Sequence, residues 1–208
     1  IMDCGENCPG DDVCSDTVPG DTNGDGITNI LDVVGLVNFI LGGSLDECGL
    51  IAADMNGDGV VNILDVVGLV NTILGGRSFN ATSAIMYETS EGVVISSDGY
   101  LGAVELTLSH DLGFELELTQ DALVADYKTT GTITKVIVVA PETDQIFSTE
   151  DNFEVDEVLA VNSNEYIDVV KHVSEFNLIS AYPNPFNPTT NIDFSISEAG
   201  YASVKVFN

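Results

Sequence analysis

Apolar residues recur with helical spacing in two stretches near the start of the chain. ILDVVGLVNFIL (30–41) and ILDVVGLVNTIL (63–74) place aliphatic side chains three and four positions apart, as on one face of a helix. Each stretch ends at a Gly-Gly pair, which is typical of a helix terminus. The pattern predicts two short helices, which belong to an internal repeat with a period of 33 residues.

Beyond residue 84 the apolar pattern changes to a period of two, which indicates strands. The segments predicted as strands are 102–109, 114–119, 132–140, 153–161 and 165–170. Many short strands without intervening helices favour an antiparallel β-sandwich. The expected fold is therefore mainly β, with a small two-helix module in front of the sandwich.

Three prolines between Tyr182 and Thr190 exclude a central strand there and mark a boundary near Phe176. Strand-like segments follow at 191–196 and 201–207. The chain is expected to divide into a Cys-rich segment (1–16), the helical module (17–76), the sandwich (84–175) and incomplete C-terminal strands (176–208). Because the last strand pattern stops at Asn208, we expect either truncation or a strand that completes its sheet elsewhere.

The charge balance narrows the range of partners. The chain has 34 acidic and 5 basic side chains, a formal net charge of −29. Such a surface excludes binding to nucleic acid or to anionic lipid, and it predicts a cationic partner such as a divalent metal ion. No apolar run approaches the roughly 20 residues of a membrane-spanning helix.

Two twelve-residue segments, 21–32 and 54–65, lead into these predicted helices and end in their first turns. Each has the spacing of a calcium loop, with oxygen donors at positions 1, 3, 5, 7, 9 and 12 and glycine at position 6. The predicted ligands of loop one are Asp21, Asn23, Asp25, the carbonyl of Ile27, Asn29 (through water) and Asp32, and those of loop two are Asp54, Asn56, Asp58, the carbonyl of Val60, Asn62 and Asp65. These hard oxygen donors favour calcium, and we expect two Ca²⁺ ions. The alternative, an ordinary Asp/Asn/Gly-rich turn, does not require this spacing twice.

The segment before loop one differs from that of an ordinary EF-hand. Val18-Pro19-Gly20 cannot form the last turn of an entering helix. Each unit is therefore predicted to be a loop followed by an exiting helix only.

The four cysteines, Cys4, Cys8, Cys14 and Cys48, lie in the first quarter of the chain and indicate disulfides of an exported protein. Three pairings are possible. Cys14 and Cys48 precede their loops by seven and six residues, which favours Cys14 with Cys48 and Cys4 with Cys8.

The tandem loops and helices, from Asp21 to about Gly76, resemble the type I dockerin family. The resemblance implies calcium-dependent folding of both repeats and binding to cohesin domains. It also places the partner-reading loop positions 10 and 11 at Ile30-Leu31 and Ile63-Leu64.

Both helices carry more aliphatic surface than two helices packed on each other can bury. Leu31, Leu36 and Phe39 in the first helix, and Leu64 and Leu69 in the second, lie outside the main apolar face. The predicted partner-binding residues are Ile30, Leu31, Leu36, Phe39, Ile63, Leu64 and Leu69. This surface is expected to meet either another protein or the β-domain of the same chain.

Two further resemblances concern the rest of the chain. DGYLGAVELTLSHD (98–111) is similar to the early strands of cohesin-like sandwiches, which implies a binding module. YPNPFNPTT (182–190) is similar to the start of the C-terminal sorting domains of type IX secretion substrates, which implies export and a place at the cell surface.

Catalytic constellations are missing from the sequence. The two histidines, His110 and His172, are isolated in strand-like segments, and no nucleophile elbow, phosphate-binding glycine loop or zincin motif occurs. We therefore predict a secreted, non-catalytic, calcium-binding assembly protein that associates head to tail through its helices or its tail strand. The alternative is an adaptor that binds a foreign cohesin or targets polysaccharide-degrading machinery. A hydrolase hidden in the sandwich is the least favoured reading.

Overall fold

The computed structural model describes residues 14, 16–76, 79–89 and 91–173, and the backbone of residues 177–182 and 191–195. The described residues form three helices and eleven strands. The helices are α1 (Ile30–Ile40), α2 (Glu47–Ala53) and α3 (Ile63–Leu74). The strands are β1 (Ser83–Thr89), β2 (Gly92–Ser97), β3 (Ala103–His110), β4 (Glu117–Leu118), β5 (Ala122–Thr130), β6 (Ile133–Pro141), β7 (Gln145–Ser148), β8 (Phe153–Val161), β9 (Tyr166–Val173), β10 (Asn177–Tyr182) and β11 (Asn191–Ser195).

The two predicted helices are confirmed, and each begins at the tenth position of its loop. Asn29 caps α1 and Asn62 caps α3, each by accepting a hydrogen bond on its side chain from the backbone two residues later. A third helix, α2, was not predicted. It starts at the cap Asp46, whose side chain accepts a hydrogen bond from the backbone N–H of Gly49.

The first nine strands form one sheet in the order β4-β7-β2-β1-β9-β8-β3-β6-β5. All neighbours in it are antiparallel except β1 and β9, which are parallel. Between β8 and β9 the ladder consists of Ala160 opposite Ile167 and Val161 opposite Tyr166. This short junction divides the sheet into two halves, β4-β7-β2-β1-β9 and β8-β3-β6-β5. The inner side chains of the two halves pack against each other as in a sandwich. The mainly β fold with a small helical module is confirmed.

A first core fills the space between the two halves of the sheet. Met86, Ile95 and Phe147 of one half lie against Leu106 and Val138 of the other, and all five are buried. The alternation of strand side chains places these residues on the inner faces.

A second core lies between the helices and the outer face of β3, β6 and β8. Along β6 the side chains alternate, so that Val136 and Val138 enter the first core while Ile137 and Val139 enter the second. Burial on both faces explains the unbroken apolar run in this strand. Much of the aliphatic surface of the helices is therefore covered by the β-domain of the same chain, one of the two expected outcomes.

The predicted strands are confirmed at β3, β6, β8 and β9. Segment 114–119 contains only the two-residue β4, and five strands, β1, β2, β5, β7 and β10, were not predicted. The predicted strand at 191–196 corresponds to β11, which pairs with β10 in a separate two-stranded sheet. The strand predicted at 201–207 lies outside the described residues. None of the described helices has the length and apolar character needed to cross a membrane.

Candidate calcium loops and docking surface

Loop one folds its side-chain oxygens back onto its own backbone. The Asp21 carboxylate accepts hydrogen bonds from the N–H groups of Asp25 (3.1 Å) and Gly26 (2.8 Å), and the Asp25 carboxylate accepts one from Ile27 (2.8 Å). Gly26 has a φ of +84°, a conformation that favours glycine and allows the chain to reverse here. These hydrogen bonds and the reversal at Gly26 hold the loop in its folded shape.

Asp32, at the last loop position, joins the loop to the helix. One carboxylate oxygen accepts from the N–H groups of Thr22 (2.9 Å) and Asn23 (3.2 Å), and the other accepts from the N–H of Asn29 (2.8 Å). The last bond forms a capping box with the side chain of Asn29. Asp32 is fully buried, and it fixes both ends of the loop to the first turn of α1.

Loop two repeats this network. The Asp65 carboxylate accepts from the N–H groups of Met55 (2.9 Å), Asn56 (3.3 Å) and Asn62 (2.8 Å), and Asp54 accepts from Gly59 (2.9 Å). Burial raises the pKa of the Asp65 carboxyl, although the three backbone donors lower it. The negative charge on Asp65 is therefore costly as long as no cation lies beside it.

The donor chemistry of both loops fits calcium. Each loop supplies three carboxylates, two side-chain amides and a backbone carbonyl, all of them oxygen donors. In the structure the position-7 carbonyls of Ile27 and Val60 accept hydrogen bonds from the amides of Asn29 and Asn62, both at 3.1 Å. Among the described residues, no three His, Cys, Asp or Glu side chains converge as the ligands of one metal ion do. The fit thus rests on the type and order of the donors.

The two loops differ in what precedes them. Loop one follows the non-helical segment Val18–Gly20, as predicted, whereas α2 runs directly into loop two. The prediction that both units lack an entering helix is therefore wrong for loop two, because Asp46 caps a short helix that the apolar pattern did not reveal. The N–H of Gly20 donates to the carbonyl of Ala52 (2.8 Å), so the segments that precede the two loops are hydrogen-bonded to each other.

A disulfide also joins the segments that precede the two loops. Cys14 and Cys48 are bonded, which confirms this predicted pair. Cys4 and Cys8, predicted as the other pair, lie outside the described residues. The bridge ties the segment before loop one to the first turn of α2.

A comparison with family profiles finds one match to this part of the chain. The profile of the Dockerin type I domain matches residues 19–74. These residues are similar to a dockerin type I domain, and they are called the dockerin domain below. The match contains both loops and all three described helices, and it ends before the first strand.

The remaining comparisons are weaker. The search of curated proteins returns no match. Among solved structures the chain is similar to a non-cellulosomal cohesin from the hyperthermophilic archaeon Archaeoglobus fulgidus, with 14% identity, coverage of 46% of this chain and 87% of that chain, and a TM-score of 0.27. A likeness this weak carries no functional information. None of these matches supports a sorting domain in residues 176–208, and most of the motif at 182–190 lies outside the described residues.

The dockerin domain exposes only part of its predicted partner surface. Leu36, Ile63 and Leu69 are fully buried, and all three belong to the core that the helices share with the sheet. These three residues are corrections, because a helix that packs on both a helix and a sheet buries two faces rather than one. Phe39 and Leu64 are partly buried, whereas Ile30 and Leu31 are exposed.

Polar contacts fix the dockerin domain on the β-domain. The side-chain amide of Asn71 donates to the carbonyl of Ser163 (3.0 Å), and the Tyr166 hydroxyl donates to the Oδ1 of Asn62 in loop two (3.3 Å). Lys128 of β5 donates to the carbonyl of Gly42 (3.3 Å). Sequence reasoning missed these contacts, because nothing local links residues about 90 positions apart.

The two histidines are structural neighbours of aromatic rings rather than members of a reactive group. His110 is buried, with Nε2 2.8 Å from the Thr134 hydroxyl and Nδ1 2.8 Å from the Asp111 carbonyl, and its ring stacks on Phe114. His172 lies against Tyr87, with ring centroids 4.9 Å apart. Both placements fit residues that support the sheet.

Proposed function

We propose that this chain is an exported, non-catalytic assembly protein. Its dockerin domain binds two calcium ions and supports non-covalent association with a neighbouring subunit, at the cell surface or in an extracellular filament. The observation that carries the proposal is a dockerin domain, a protein-docking module, whose first repeat retains exposed aliphatic side chains.

Each loop holds one calcium ion in this proposal. The ligands are those predicted from the spacing: Asp21, Asn23, Asp25, Ile27, Asn29 and Asp32 in loop one, and Asp54, Asn56, Asp58, Val60, Asn62 and Asp65 in loop two. A cation beside Asp65 offsets the cost of its buried charge. Two ions change the net charge from −29 to −29 + 4 = −25, and they do so beside the helices that dock.

The proposed role is a non-catalytic one. Dockerin domains are interaction modules, and the sequence contains no nucleophile elbow and no zincin motif. His110, the more buried histidine, has both ring nitrogens within hydrogen-bond distance of oxygen atoms. A carboxylate pair of the glycosidase type needs a defined separation around a bound sugar, and no observation favours one.

The four-segment division of the chain belongs to the proposal as well. Surface anchoring through residues 176–208 rests on the motif at 182–190 alone. The disulfide Cys14–Cys48 supports an oxidising compartment outside the cytoplasm.

A second candidate function is an adaptor that binds a foreign cohesin or recruits polysaccharide-degrading machinery. The family match favours it, because the resemblance to dockerins implies a cohesin partner. In an adaptor, the exposed residues of the first repeat serve a foreign sandwich instead of a second copy.

Sedimentation or light scattering of the purified chain distinguishes the two functions. With calcium at millimolar concentration, the assembly protein forms species larger than the monomer, and a chelator returns it to monomers. An adaptor stays monomeric in both conditions and forms a complex only when a cohesin is added. A monomer in calcium contradicts the assembly function.

A further inference from the structure

The β-domain donates a hydrogen bond to one of the two nearly identical calcium loops. The hydroxyl of Tyr166, the first residue of β9, donates to the Oδ1 atom of Asn62 in loop two (3.3 Å). Asn29 is the equivalent residue of loop one, and no hydrogen bond from the described part of the β-domain reaches it. The two loops therefore differ in their surroundings rather than in their own residues.

Asn62 connects several parts of loop two. Its Oδ1 atom also accepts a hydrogen bond from the N–H of Leu64 (2.8 Å), which caps α3. Its side-chain amide donates to the carbonyl of Val60 (3.1 Å), the proposed ligand at position 7, and its own N–H donates to the Asp65 carboxylate (2.8 Å), the proposed ligand at position 12. A donor that fixes Asn62 therefore also acts on both of these ligands.

The sheet and α3 together place Tyr166 beside loop two. Tyr166 pairs with Val161 in the ladder between β8 and β9, and Val161 is buried in the core that the helices share with the sheet. In the turn between these strands, the carbonyl of Ser163 accepts a hydrogen bond from the side-chain amide of Asn71 in α3 (3.0 Å). The buried Asn162 holds the same turn, because its Oδ1 atom accepts two backbone hydrogen bonds. The Tyr166 hydroxyl is thus positioned by packed elements.

We propose that Tyr166 is a positioning residue for calcium loop two, and that it couples calcium binding in this loop to the docking of the dockerin domain on the β-domain. The inference rests on the proposed calcium binding, and it adds that the two calcium sites are not equivalent. Tyr166 touches Asn62 and not the ion, so it acts through the loop, as residues around the ligands of other metal sites do.

The coupling works in both directions. An ordered loop two keeps Asn62 within reach of the Tyr166 hydroxyl, so the hydrogen bond favours the calcium-bound state. By linkage, the β-domain raises the calcium affinity of loop two by the same factor by which calcium in loop two strengthens the docking of the dockerin domain. Loop one binds its ion without this contribution.

Single-site variants isolate the two loops. Asp25→Ala leaves loop two as the calcium site, and Asp58→Ala leaves loop one. In the Asp25→Ala chain, Tyr166→Phe removes one hydroxyl and should weaken calcium binding about two- to tenfold, as expected for one hydrogen bond. In the Asp58→Ala chain, the same substitution should leave the calcium affinity of loop one unchanged. Competition with a chromophoric calcium chelator measures both affinities.

Tyr127→Phe is the matched control. Tyr127 is also a tyrosine of the β-domain, in β5, and it is 40% exposed against 45% for Tyr166. Its hydroxyl makes no hydrogen bond to loop two among the described residues, so this variant of the Asp25→Ala chain should bind calcium with unchanged affinity. Circular dichroism verifies that all the variants are folded.

Terbium luminescence tests the placement of Tyr166 without relying on affinity. Tb³⁺ takes oxygen ligands as Ca²⁺ does, and its emission is sensitised by an aromatic ring close to the ion. Because the chain has no tryptophan, tyrosine is the sensitiser. At saturating Tb³⁺, Tyr166→Phe should remove most of the sensitised emission of the Asp25→Ala chain, and Tyr127→Phe should retain it. Emission that survives in Tyr166→Phe would show that Tyr166 does not lie beside the bound ion.

The outcomes distinguish this inference from the proposed function. If both single-site chains bind calcium, and Tyr166→Phe either leaves the affinity of loop two unchanged or weakens the two loops equally, the inference is wrong while calcium binding stands. If the Asp25→Ala chain binds no calcium at millimolar concentration, the proposed site in loop two is wrong, and so is the inference.

Discussion

The carboxylates of Asp32 and of its repeat equivalent Asp65 each have two roles, one in calcium binding and one in holding the loop backbone. Both were predicted as calcium ligands from the loop spacing, and in the structure each also accepts three backbone hydrogen bonds. The loop spacing identifies an oxygen donor at position 12. It does not reveal that the same oxygens hold the loop in shape when the chain folds around them.

Replacement of Asp32 by Ala should therefore destabilise the chain even without calcium. Three backbone N–H groups, those of Thr22, Asn23 and Asn29, lose their acceptor. The Thr22 bond is buried, and leaving that group unsatisfied costs about 1–3 kcal/mol. Urea unfolding in a chelator measures this effect. Asp25→Ala is the control, because its carboxylate accepts only the exposed bond from Ile27 in addition to its role in calcium binding. Equal stability of the two variants in the chelator would argue against a stabilising role of the backbone hydrogen bonds that Asp32 accepts.

Asp98 provides a residue-scale test in the β-domain. Its carboxylate accepts hydrogen bonds from the hydroxyl and the N–H of Thr82 and from the N–H of Ser83, and these bonds lower its pKa to about 2. Because the folded pKa is depressed, Asp98 stabilises the fold above its ordinary pKa. That stabilisation is lost as the pH falls toward 2.

Carbon-detected NMR titration of Asp98 measures this pKa. Thr82→Val removes the hydroxyl donor, the largest cause of the shift, and should move the Asp98 pKa up toward its ordinary value. An Asp98 pKa that is unchanged by this substitution, or near 4 in the unchanged chain, would be at odds with the hydrogen-bond pattern.

At the scale of elements, local signals predicted far more than long-range ones. The loops, α1 and α3 follow from residues within a dozen positions of each other, and β3 and β8 from strict alternation. The strands β1, β2, β5, β7 and β10 were missed because residues such as Met, Ala, Ser and Asp interrupt their alternation. α2 has only seven residues and includes a glycine, so its one readable signal was the cap at Asp46.

The docking of α3 on the sheet could not be predicted from the sequence. It depends on Gly102 and Val67, which are 35 positions apart and belong to different segments of the chain. The buried positions of Leu36, Ile63 and Leu69 were assigned to a partner surface for the same reason. A helical wheel shows which side chains share a face, and it contains no information about what covers that face.

Gly102→Ala should destabilise the contact between α3 and the sheet. The new Cβ would lie 2.8 Å from Cγ1 of Val67, which is stiff because it is β-branched, and 3.0 Å from the Asn162 carbonyl. We expect a loss of about 1–3 kcal/mol in the free energy of unfolding, as for other overpacked sites.

The double variant Gly102→Ala, Val67→Ala tests the cause. Removal of the Val67 methyl groups makes room for the new Cβ, so the double variant should lose less than the sum of the two single losses. Urea unfolding of all four chains closes this cycle. Additive losses would place the strain at the Asn162 carbonyl instead.

At the scale of the whole molecule, calcium binding is expected to reduce the repulsion between the many negative charges. An excess of 29 negative charges opposes compaction and association, and the dockerin loops concentrate carboxylates next to the helices that hold the second core. Tyr166 of the β-domain donates directly to Asn62 of loop two, which connects the calcium loop to the sandwich.

Removal of calcium should therefore lower the melting temperature of the entire chain. Only the folded loops gather the ligands, so calcium stabilises the folded state by mass action, by about 2.7 kcal/mol at a hundredfold excess over Kd. Circular dichroism at helical and at strand wavelengths should show both signals melting earlier in a chelator. A strand signal that is indifferent to calcium would mean that the two domains unfold independently.

Calorimetric titration of calcium into the chelator-treated chain tests the central claim most directly. The account predicts binding of two ions per chain, with Asp25→Ala and Asp58→Ala each reducing the number to one. The absence of binding heat at millimolar calcium, or a stoichiometry that neither substitution changes, would contradict it.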